Sequence, residues 1–382
     1  MKTIYLDYNA TTPLDAEVRR CMLPCLGEVY GNPSSVHHVG RIARALLDDA
    51  RYRVANLWHC KPSEVIFTSG GTESNNLAIL GTARQLKPKG RHLITSQIEH
   101  HAVLQCFDYL ERKEGFEVTR VPVNSEGVLD PITIQEAIKP DTVLVSVMAA
   151  NNEVGTLQDV AAIGKLCRRK GVAFHTDAVQ WFGKEPVPSI DLFEADLVSV
   201  CAHKFYGPKG VGALFIRSPL LPDPVLFGGG HENERRAGTE NLAAIRGLVE
   251  ALERFTVQPV FPSDLMRRQT EHLRQILGQH PRIRALGPME RRLSNTASFT
   301  VKGTDSFALL AGLDMEGVCA SSGSACSAGS LEPSHVVRAM GASAEESRAL
   351  LRFSLGRETT SVEIETLLAV LPGIVDRSVG SR

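Results

Sequence analysis

Short apolar runs alternate with longer amphipathic stretches over the first 216 residues. Each run has four to seven residues, the length of a buried strand. Between them, apolar residues recur every three or four positions, which is typical of helices. The predicted strands lie at 64–69, 92–96, 118–123, 142–148, 172–175, 197–200 and 211–216, and the predicted helices at 15–26, 39–57, 131–138 and 159–170. This alternation predicts an α/β fold with a largely parallel, doubly wound sheet.

The pattern changes after residue 216. A glycine-rich polar segment, 227–241, leads into a predicted helix at 242–255, and prolines at 259 and 262 then interrupt the chain. We therefore predict a large domain over 14–260 and a smaller α+β domain made of 1–13 and 261–382. Its predicted elements are helices at 264–279, 305–313 and 334–340, strands at 283–286, 296–302 and 350–354, and a last helix.

A pair of glycines follows the predicted strand 64–69. Gly70 and Gly71 lead towards a predicted helix at Leu77, and a glycine turn at a helix start offers free backbone N–H groups to a phosphate. Thr72 can add its hydroxyl. The alternative is a plain glycine turn in which Thr72 or Ser74 caps the helix.

Polar residues also follow several other predicted strands. Because ligands of such sheets gather beyond the carboxyl ends of the strands, these residues predict one shared site. Lys204, beside a buried strand, can become a nucleophile towards carbonyls, and Asp177 can pair with a pyridinium nitrogen. The alternatives are a lysine that reaches the surface and an aspartate that caps a turn. The residues in question are Thr72, His100, Asn152, Asp177 and Lys204.

Composition excludes several classes of protein. The 382 residues are 43% hydrophobic with a formal net charge of −1 and no long run of like charge, which disfavours nucleic-acid binding. No apolar run reaches the ~18 residues of a membrane span, and the start of the chain is too polar for a secretory signal. We therefore predict a cytoplasmic protein. Eight scattered cysteines without a Cys-x-x-Cys pair favour neither disulfides nor zinc, and the adjacent histidines at 37–38 and 100–101 diverge too much to share a metal.

Cys326 lies among Ser, Gly and Ala, a composition that packs poorly and favours a mobile loop. An exposed thiol there indicates a reactive cysteine, although low-complexity linkers have a similar composition. Cys319, next to Val318, is more typical of a packed residue.

Ten short motifs occur in order along nearly the whole chain. Together they make the sequence resemble the cysteine desulfurases of the NifS/IscS type, a group with the aspartate aminotransferase-like fold type I of pyridoxal phosphate (PLP) enzymes. The resemblance implies a seven-stranded, mostly parallel sheet. The motifs are Tyr5-Leu-Asp-Tyr-Asn-Ala-Thr-Thr12, Gly31-Asn-Pro-Ser-Ser35, Thr68-Ser-Gly-Gly-Thr-Glu-Ser74, Glu99-His100, Asn151-Asn-Glu153, His175-Thr-Asp-Ala-Val-Gln180, His203-Lys204, Arg235-Arg-Ala-Gly-Thr-Glu-Asn241, Ser321-Ser-Gly-Ser-Ala-Cys326 and Leu351-Arg-Phe-Ser-Leu-Gly356.

The resemblance implies a role for each matched residue. Lys204 would carry PLP through its amine, Asp177 would pair with the ring nitrogen, and Gln180 would bond to the phenolic oxygen. His100 would stack on the ring and shuttle protons. The phosphate would be bound by Gly71, Thr72, Cys201 and His203, with Thr239 of a second subunit in a homodimer. Asn152 would contact the cofactor and, with Arg352, the substrate carboxylate. Cys201 stands where many relatives have serine, and a thiol is a weaker donor.

The implied reaction takes sulfur from L-cysteine, leaving alanine and a persulfide on Cys326 within the loop at about 319–333. The sulfur would go to an iron–sulfur scaffold protein or another acceptor. Cys326 could act there as a transient cluster ligand, with no metal intrinsic to the chain. Because the chain ends soon after its last predicted helix, scaffold docking of the IscS kind is not expected. Two alternatives stay open: another fold type I activity, such as an aminotransferase or selenocysteine lyase, and a non-catalytic sulfur carrier or assembly scaffold.

Overall fold

The structure, a computed structural model, describes residues 3–323 and 333–379. Its strands close to the predicted positions confirm the α/β class. They are β1 Ile4–Tyr5, β2 Val65–Thr68, β3 His92–Ser96, β4 Glu117–Val121, β5 Thr142–Ser146, β6 Ala173–Asp177, β7 Leu197–Cys201, β8 Gly212–Ile216, β9 Ile283–Leu286, β10 Thr296–Val301, β11 Val318–Cys319 and β12 Leu350–Ser354.

Helices connect and cover these strands. They are α1 Ala16–Leu26, α2 His38–Trp58, α3 Gly71–Asn76, α4 Thr82–Leu86, α5 His101–Glu114, α6 Pro131–Ala137, α7 Val160–Lys170, α8 Leu242–Phe255, α9 Ser263–Leu277, α10 Ser306–Met315, α11 His335–Ala339, α12 Ala344–Ser347 and α13 Ser361–Val379. As predicted, Asp15 caps α1, and its carboxylate accepts from the backbone N–H groups of Glu17 and Val18. No helix of the described ranges is long and apolar enough to cross a bilayer.

The seven-stranded sheet has the order β2-β8-β7-β6-β5-β3-β4. The neighbouring strands β7, β6, β5, β3 and β4 pair in parallel, whereas β8 runs antiparallel to both of its neighbours, β2 and β7. Six strands therefore run in one direction, and their carboxyl ends meet at one edge of the sheet. This arrangement is the mostly parallel sheet that the resemblance implies, and it brings the segments after β2, β3, β5, β6 and β7 together.

One helix begins earlier than predicted. The glycine pair opens α3 at Gly71, and a π-helical turn over Leu77–Gly81 joins α3 to α4. The prediction of a start at Leu77 was wrong because Ser74 and Asn75 are polar but fully buried, which hides the apolar period. The stretch after Glu99, which the sequence pattern left unassigned, forms α5.

The rest of the chain builds two smaller sheets. Antiparallel β12-β10-β9 forms one of them, and the N-terminal strand β1 pairs in parallel with β11 in the other. The start of the chain is thereby joined to the segment that leads into the Cys326 region. The proposed domain boundary near residue 260 stays a prediction, since Phe255, Phe261 and Met266 share one continuous apolar core.

Candidate active site

A cavity of about 280 Å³ lies at the carboxyl edge of the large sheet. The glycine turn after β2, the cap of α5 and the segments after β5, β6 and β7 form most of its wall. The N-terminal arm and β12 complete it. Its lining residues are Asn9, Ala10, Gly71, Thr72, Asn75, His100, Met148, Ala150, Asn152, Asp177, Val179, Gln180, Cys201, His203, Lys204 and Arg352.

Asp177 ends strand β6 and is buried. Its Oδ2 accepts a 2.7 Å hydrogen bond from Nδ2 of Asn75, and its Oδ1 accepts one of 3.0 Å from the Val179 N–H. These neutral donors offset part of the cost of burying a carboxylate. The side chain is thus held at a fixed place on the cavity wall.

Lys204 ends a short 3₁₀ turn that follows strand β7. Its Nζ donates to the backbone carbonyls of Asn9 and Ala10, both at 2.8 Å. Those carbonyls belong to the N-terminal arm. Thr12 ties the same arm to the turn, because its N–H donates to the His203 carbonyl at 3.0 Å. The position of the amine therefore depends on residues nearly two hundred positions away in sequence.

His100 is the N-cap of α5, and its Nδ1 accepts a 3.0 Å hydrogen bond from the Ala102 N–H. A ring nitrogen that accepts carries no proton, so neutral His100 is protonated on Nε2. Burial lowers the pKa of the imidazole, and the nearby Asp177 carboxylate opposes that shift. The neutral tautomer with Nε2–H is therefore favoured.

The glycine turn forms one end of the cavity. A Cβ built on Gly71 would lie 2.9 Å from Cγ2 of Val179, so only glycine lets the backbone approach so closely. His203 faces the same end, and its Nδ1 is 3.1 Å from Oγ1 of Thr11. Burial, followed by the charges of nearby lysines, lowers the pKa of His203 to about 4. The ring is neutral at pH 7 and keeps one N–H donor.

Cys201 also lines this end, beside Gly71. Burial raises the pKa of its thiol, so the group stays protonated at neutral pH. Its Sγ lies 3.9 Å from the carbonyl of Val211, at the limit of a thiol hydrogen bond. The Cys201 thiol is therefore a weak hydrogen-bond donor at this end of the cavity.

Arg352 comes from strand β12 and is 1% exposed. One terminal nitrogen donates to Oδ1 of Asp7 at 2.6 Å, and the other donates to the Asn152 carbonyl at 2.8 Å. Its Nε is buried and has no hydrogen-bond partner among the described residues. A buried unpaired donor is costly, so a ligand oxygen would be well accommodated there.

Gln180 lies just after β6, and both ends of its amide are engaged. Its Nε2 donates to the Asn9 carbonyl at 3.0 Å, and its Oε1 accepts from Nζ of Lys184. Asn9 thus accepts three hydrogen bonds. Its backbone carbonyl accepts from Gln180 and Lys204, and its side-chain oxygen accepts from Lys184. Sequence reasoning gave no role to Asp7, Asn9, Asn75 and Lys184. The signals it could have used for the first two are their polarity within the N-terminal arm and their place in the matched motif Tyr5–Thr12.

Of the predicted residues that the structure describes, one does not line this cavity. Thr239 is exposed on segment 227–241 and does not line it. Cys326 lies outside the described residues. The two described segments that flank it both approach buried Glu153. Its Oε2 accepts from Oγ of Ser334 at 2.6 Å, and a Cβ on Gly323 would lie 3.2 Å from that same oxygen.

Known proteins resemble this chain over nearly its whole length. A profile of the family "Aminotransferase class-V" matches residues 4–367. "Cysteine desulfurase IscS" of Dictyoglomus turgidum is 44% identical over 377 residues, 98% of this chain and 95% of that protein. A solved "NIFS-like protein" aligns with a TM-score of 0.90 and 34% identity over 98% of this chain and 100% of its own. "SspA in complex with cysteine" aligns with a TM-score of 0.81 and 36% identity, covering 94% and 100%.

Proposed function

The chain belongs to the aminotransferase class-V family, where it is a PLP-dependent cysteine desulfurase, and we propose that the cavity at the carboxyl edge of its large sheet removes sulfur from L-cysteine. One observation carries this assignment of the site. A lysine amine, a fixed carboxylate and a buried guanidinium, those of Lys204, Asp177 and Arg352, line the same cavity of about 280 Å³.

The residues present fit the cofactor. Lys204 would hold it covalently, Asp177 would pair with the ring nitrogen, and Gln180 would donate to the ring oxygen. The close approach allowed by Gly71 leaves its N–H, the Thr72 hydroxyl and neutral His203 for the phosphate. When bound, PLP supplies an electron-accepting ring that makes bonds at the Cα and Cβ of an amino acid easier to break.

The opposite wall would hold the substrate. Nε of Arg352, together with Asn152, would bind the carboxylate of L-cysteine, since a guanidinium offers two parallel donors. His100 would hold and move a proton at Nε2, because the N-cap bond to α5 occupies Nδ1. Together these contacts would fix the orientation of the Cα–H and of the sulfur atom.

The sulfur acceptor would be the Cys326 thiolate. Its electron pair forms a bond to the substrate sulfur while the C–S bond breaks, and the C–S pair stays with the carbon, which takes a proton to give alanine. The persulfide on Cys326 would then supply an iron–sulfur scaffold protein or another acceptor. The exposed position of Thr239 supports a homodimer in which this residue serves the cavity of the other subunit.

The test is to mix the purified protein with L-cysteine and a reducing thiol and to measure alanine and sulfide together. We expect equal amounts of both from the wild type. Cys326→Ala should abolish sulfide release, whereas Cys319→Ala, at a half-buried cysteine of β11, should leave it unchanged. Continued turnover of an amino-group acceptor by Cys326→Ala without sulfide would instead indicate an aminotransferase. A colourless protein that releases neither product would contradict the proposal.

A further inference from the structure

Lys184 is a buried lysine that no part of the reaction described above uses. It is 1% exposed and lies one helix-like turn after Gln180, in the segment that follows β6. Its Nζ donates to Oε1 of Gln180 and, at 3.0 Å, to Oδ1 of Asn9. The ring of Phe261 covers it, with 5.5 Å from Nζ to the ring centroid.

Burying this amine is expensive. Among the described residues, no carboxylate lies within ion-pair distance of its nitrogen. Burial, together with the charges of Lys204 and Arg352, lowers its pKa well below the ordinary value. A leucine or methionine would fill such a place at lower cost, so the polar end has to contribute something that an apolar side chain cannot.

The contribution is directional. An amide side chain can turn over and exchange its oxygen and nitrogen, and only its partners decide between the two orientations. Here Oε1 of Gln180 faces an amine that donates, and Nε2 faces the Asn9 carbonyl, which accepts. The reversed amide would place oxygen against oxygen at the Asn9 carbonyl and would lose the hydrogen bond that Nζ of Lys184 donates. Removing the lysine would leave only one of these two constraints.

We propose that Lys184 is a positioning residue of the active site, which fixes the Gln180 amide with its nitrogen towards the cavity. This inference rests on the proposed role of Gln180 at the cofactor. Once Nε2 has given one hydrogen to the Asn9 carbonyl, its second hydrogen is the donor that the cavity receives. Lys184 thus acts through Gln180 and touches neither substrate nor cofactor.

The test is a double-mutant comparison that measures cofactor binding instead of turnover. Lys184→Met, Gln180→Ala and the double variant are stripped of PLP, and the dissociation constant for added PLP is then measured. The visible absorbance maximum of each reloaded protein is recorded as well. Each single change should weaken binding about fivefold, the effect of one lost hydrogen bond, and shift the maximum in the same direction. The double variant should match Gln180→Ala alone.

Other outcomes would overturn the inference. If Lys184→Met leaves both the dissociation constant and the absorbance maximum unchanged, Lys184 serves only the fold. If the two effects multiply to about 25-fold in the double variant, Lys184 does not act through Gln180. Arg274→Met is the matched control, because it removes another buried basic side chain, which here donates to the backbone carbonyls of Leu286 and Gly287. It should lower the melting temperature without changing PLP binding.

If Lys184→Met fails to fold, Gln180→Glu tests the proposed positioning role of Lys184 instead. A carboxylate at 180 would pair with Lys184, so this variant should melt no lower than the wild type yet bind PLP as weakly as Gln180→Ala. A large fall in its melting temperature would contradict the inference. Wild-type protein that binds no PLP at all would instead refute the proposed function, so the two failures can be told apart.

Discussion

The two walls of the cavity hold their charged groups in different ways. On the sheet-edge wall, a side-chain amide and a backbone N–H fix the Asp177 carboxylate. On the β12 wall, Arg352 is bonded directly to the Asp7 carboxylate. Neutral donors leave the charge of Asp177 available to a cationic ring, whereas Asp7 already compensates much of the charge of Arg352. We therefore expect the first wall to recognise charge and the second to recognise mainly the geometry of a carboxylate.

Removal of Lys204 is the largest expected change on the sheet-edge wall. Lys204→Ala should lower kcat by at least ~10³, since no other lining residue in the described part of the chain offers an amine to the cofactor. Mass spectrometry after borohydride reduction should find PLP attached to the wild type and absent from the variant. Lys209→Ala, at an exposed lysine in the following turn, is the control and should behave as the wild type. PLP attachment in Lys204→Ala would show that a different amine carries the cofactor.

The β12 wall is tested with Arg352→Lys, which keeps the charge but loses the planar pair of donors. If geometry matters more than charge there, KM for L-cysteine should rise about 10–100-fold with a smaller change in kcat. Steady-state kinetics measure both constants. An unchanged KM would mean that a single positive charge is sufficient and that the two walls do not differ in the way described.

Glu99 extends the contrast to protonation. It is fully buried, its Oε1 accepts from two neutral donors among the described residues, Oγ of Ser96 and the Met148 N–H, and burial raises its pKa to about 8. The folded state thus keeps a proton that the unfolded state loses above its ordinary value of 4.5. The protonated Glu99 carboxyl therefore stabilises the fold fully below pH 4.5, and this stabilisation is lost as the pH rises through about 8.

Between pH 6 and 8 the wild type should therefore lose about 2 kcal/mol of unfolding free energy relative to Glu99→Gln, since one bound proton corresponds to ~1.4 kcal/mol per pH unit. Denaturant titrations at several pH values measure this difference. Glu345→Gln, at an exposed glutamate, should follow the wild type. Parallel pH profiles of the wild type and Glu99→Gln would show that Glu99 is ionised in the fold.

The smallest expected effect is at the glycine turn. The methyl group of Gly71→Ala would come within 2.9 Å of the Val179 side chain and should weaken PLP binding about fivefold. Gly373→Ala is the matched control, since its methyl group would lie 3.4 Å from the end of the Arg377 side chain and within helix α13. Fluorescence titration of the stripped proteins measures both constants. Equal constants for Gly71→Ala and the wild type would mean that the turn can shift without loss.

The sheet-edge wall was largely predictable from the sequence, whereas the β12 wall was not. Asp177 and Lys204 directly follow apolar runs, so the rule that ligands gather at strand ends is enough to place them in one site. Arg352 lies inside a strand, and only the family resemblance singled it out. Its partner Asp7 is 345 residues away in sequence, and no local pattern reports such a distance.

Buried amides escaped prediction for a different reason. Asn9 and Asn75 act through hydrogen bonds whose partners come from separate segments. Their polarity resembles that of surface residues when the sequence is taken alone. The helix start at Gly71 was misplaced for the same reason, since buried polar residues occupy its inner face.

The N-terminal arm has a practical consequence for handling the enzyme. The carbonyls of Asn9 and Ala10 accept hydrogen bonds from the Lys204 amine. Proteolytic cleavage near residue 12, or a fusion that disturbs the arm, would therefore inactivate the enzyme and leave the large sheet intact. Such damaged material would still give a normal far-ultraviolet dichroism spectrum. Intact mass, rather than secondary-structure content, is the quality check that a preparation of this protein needs.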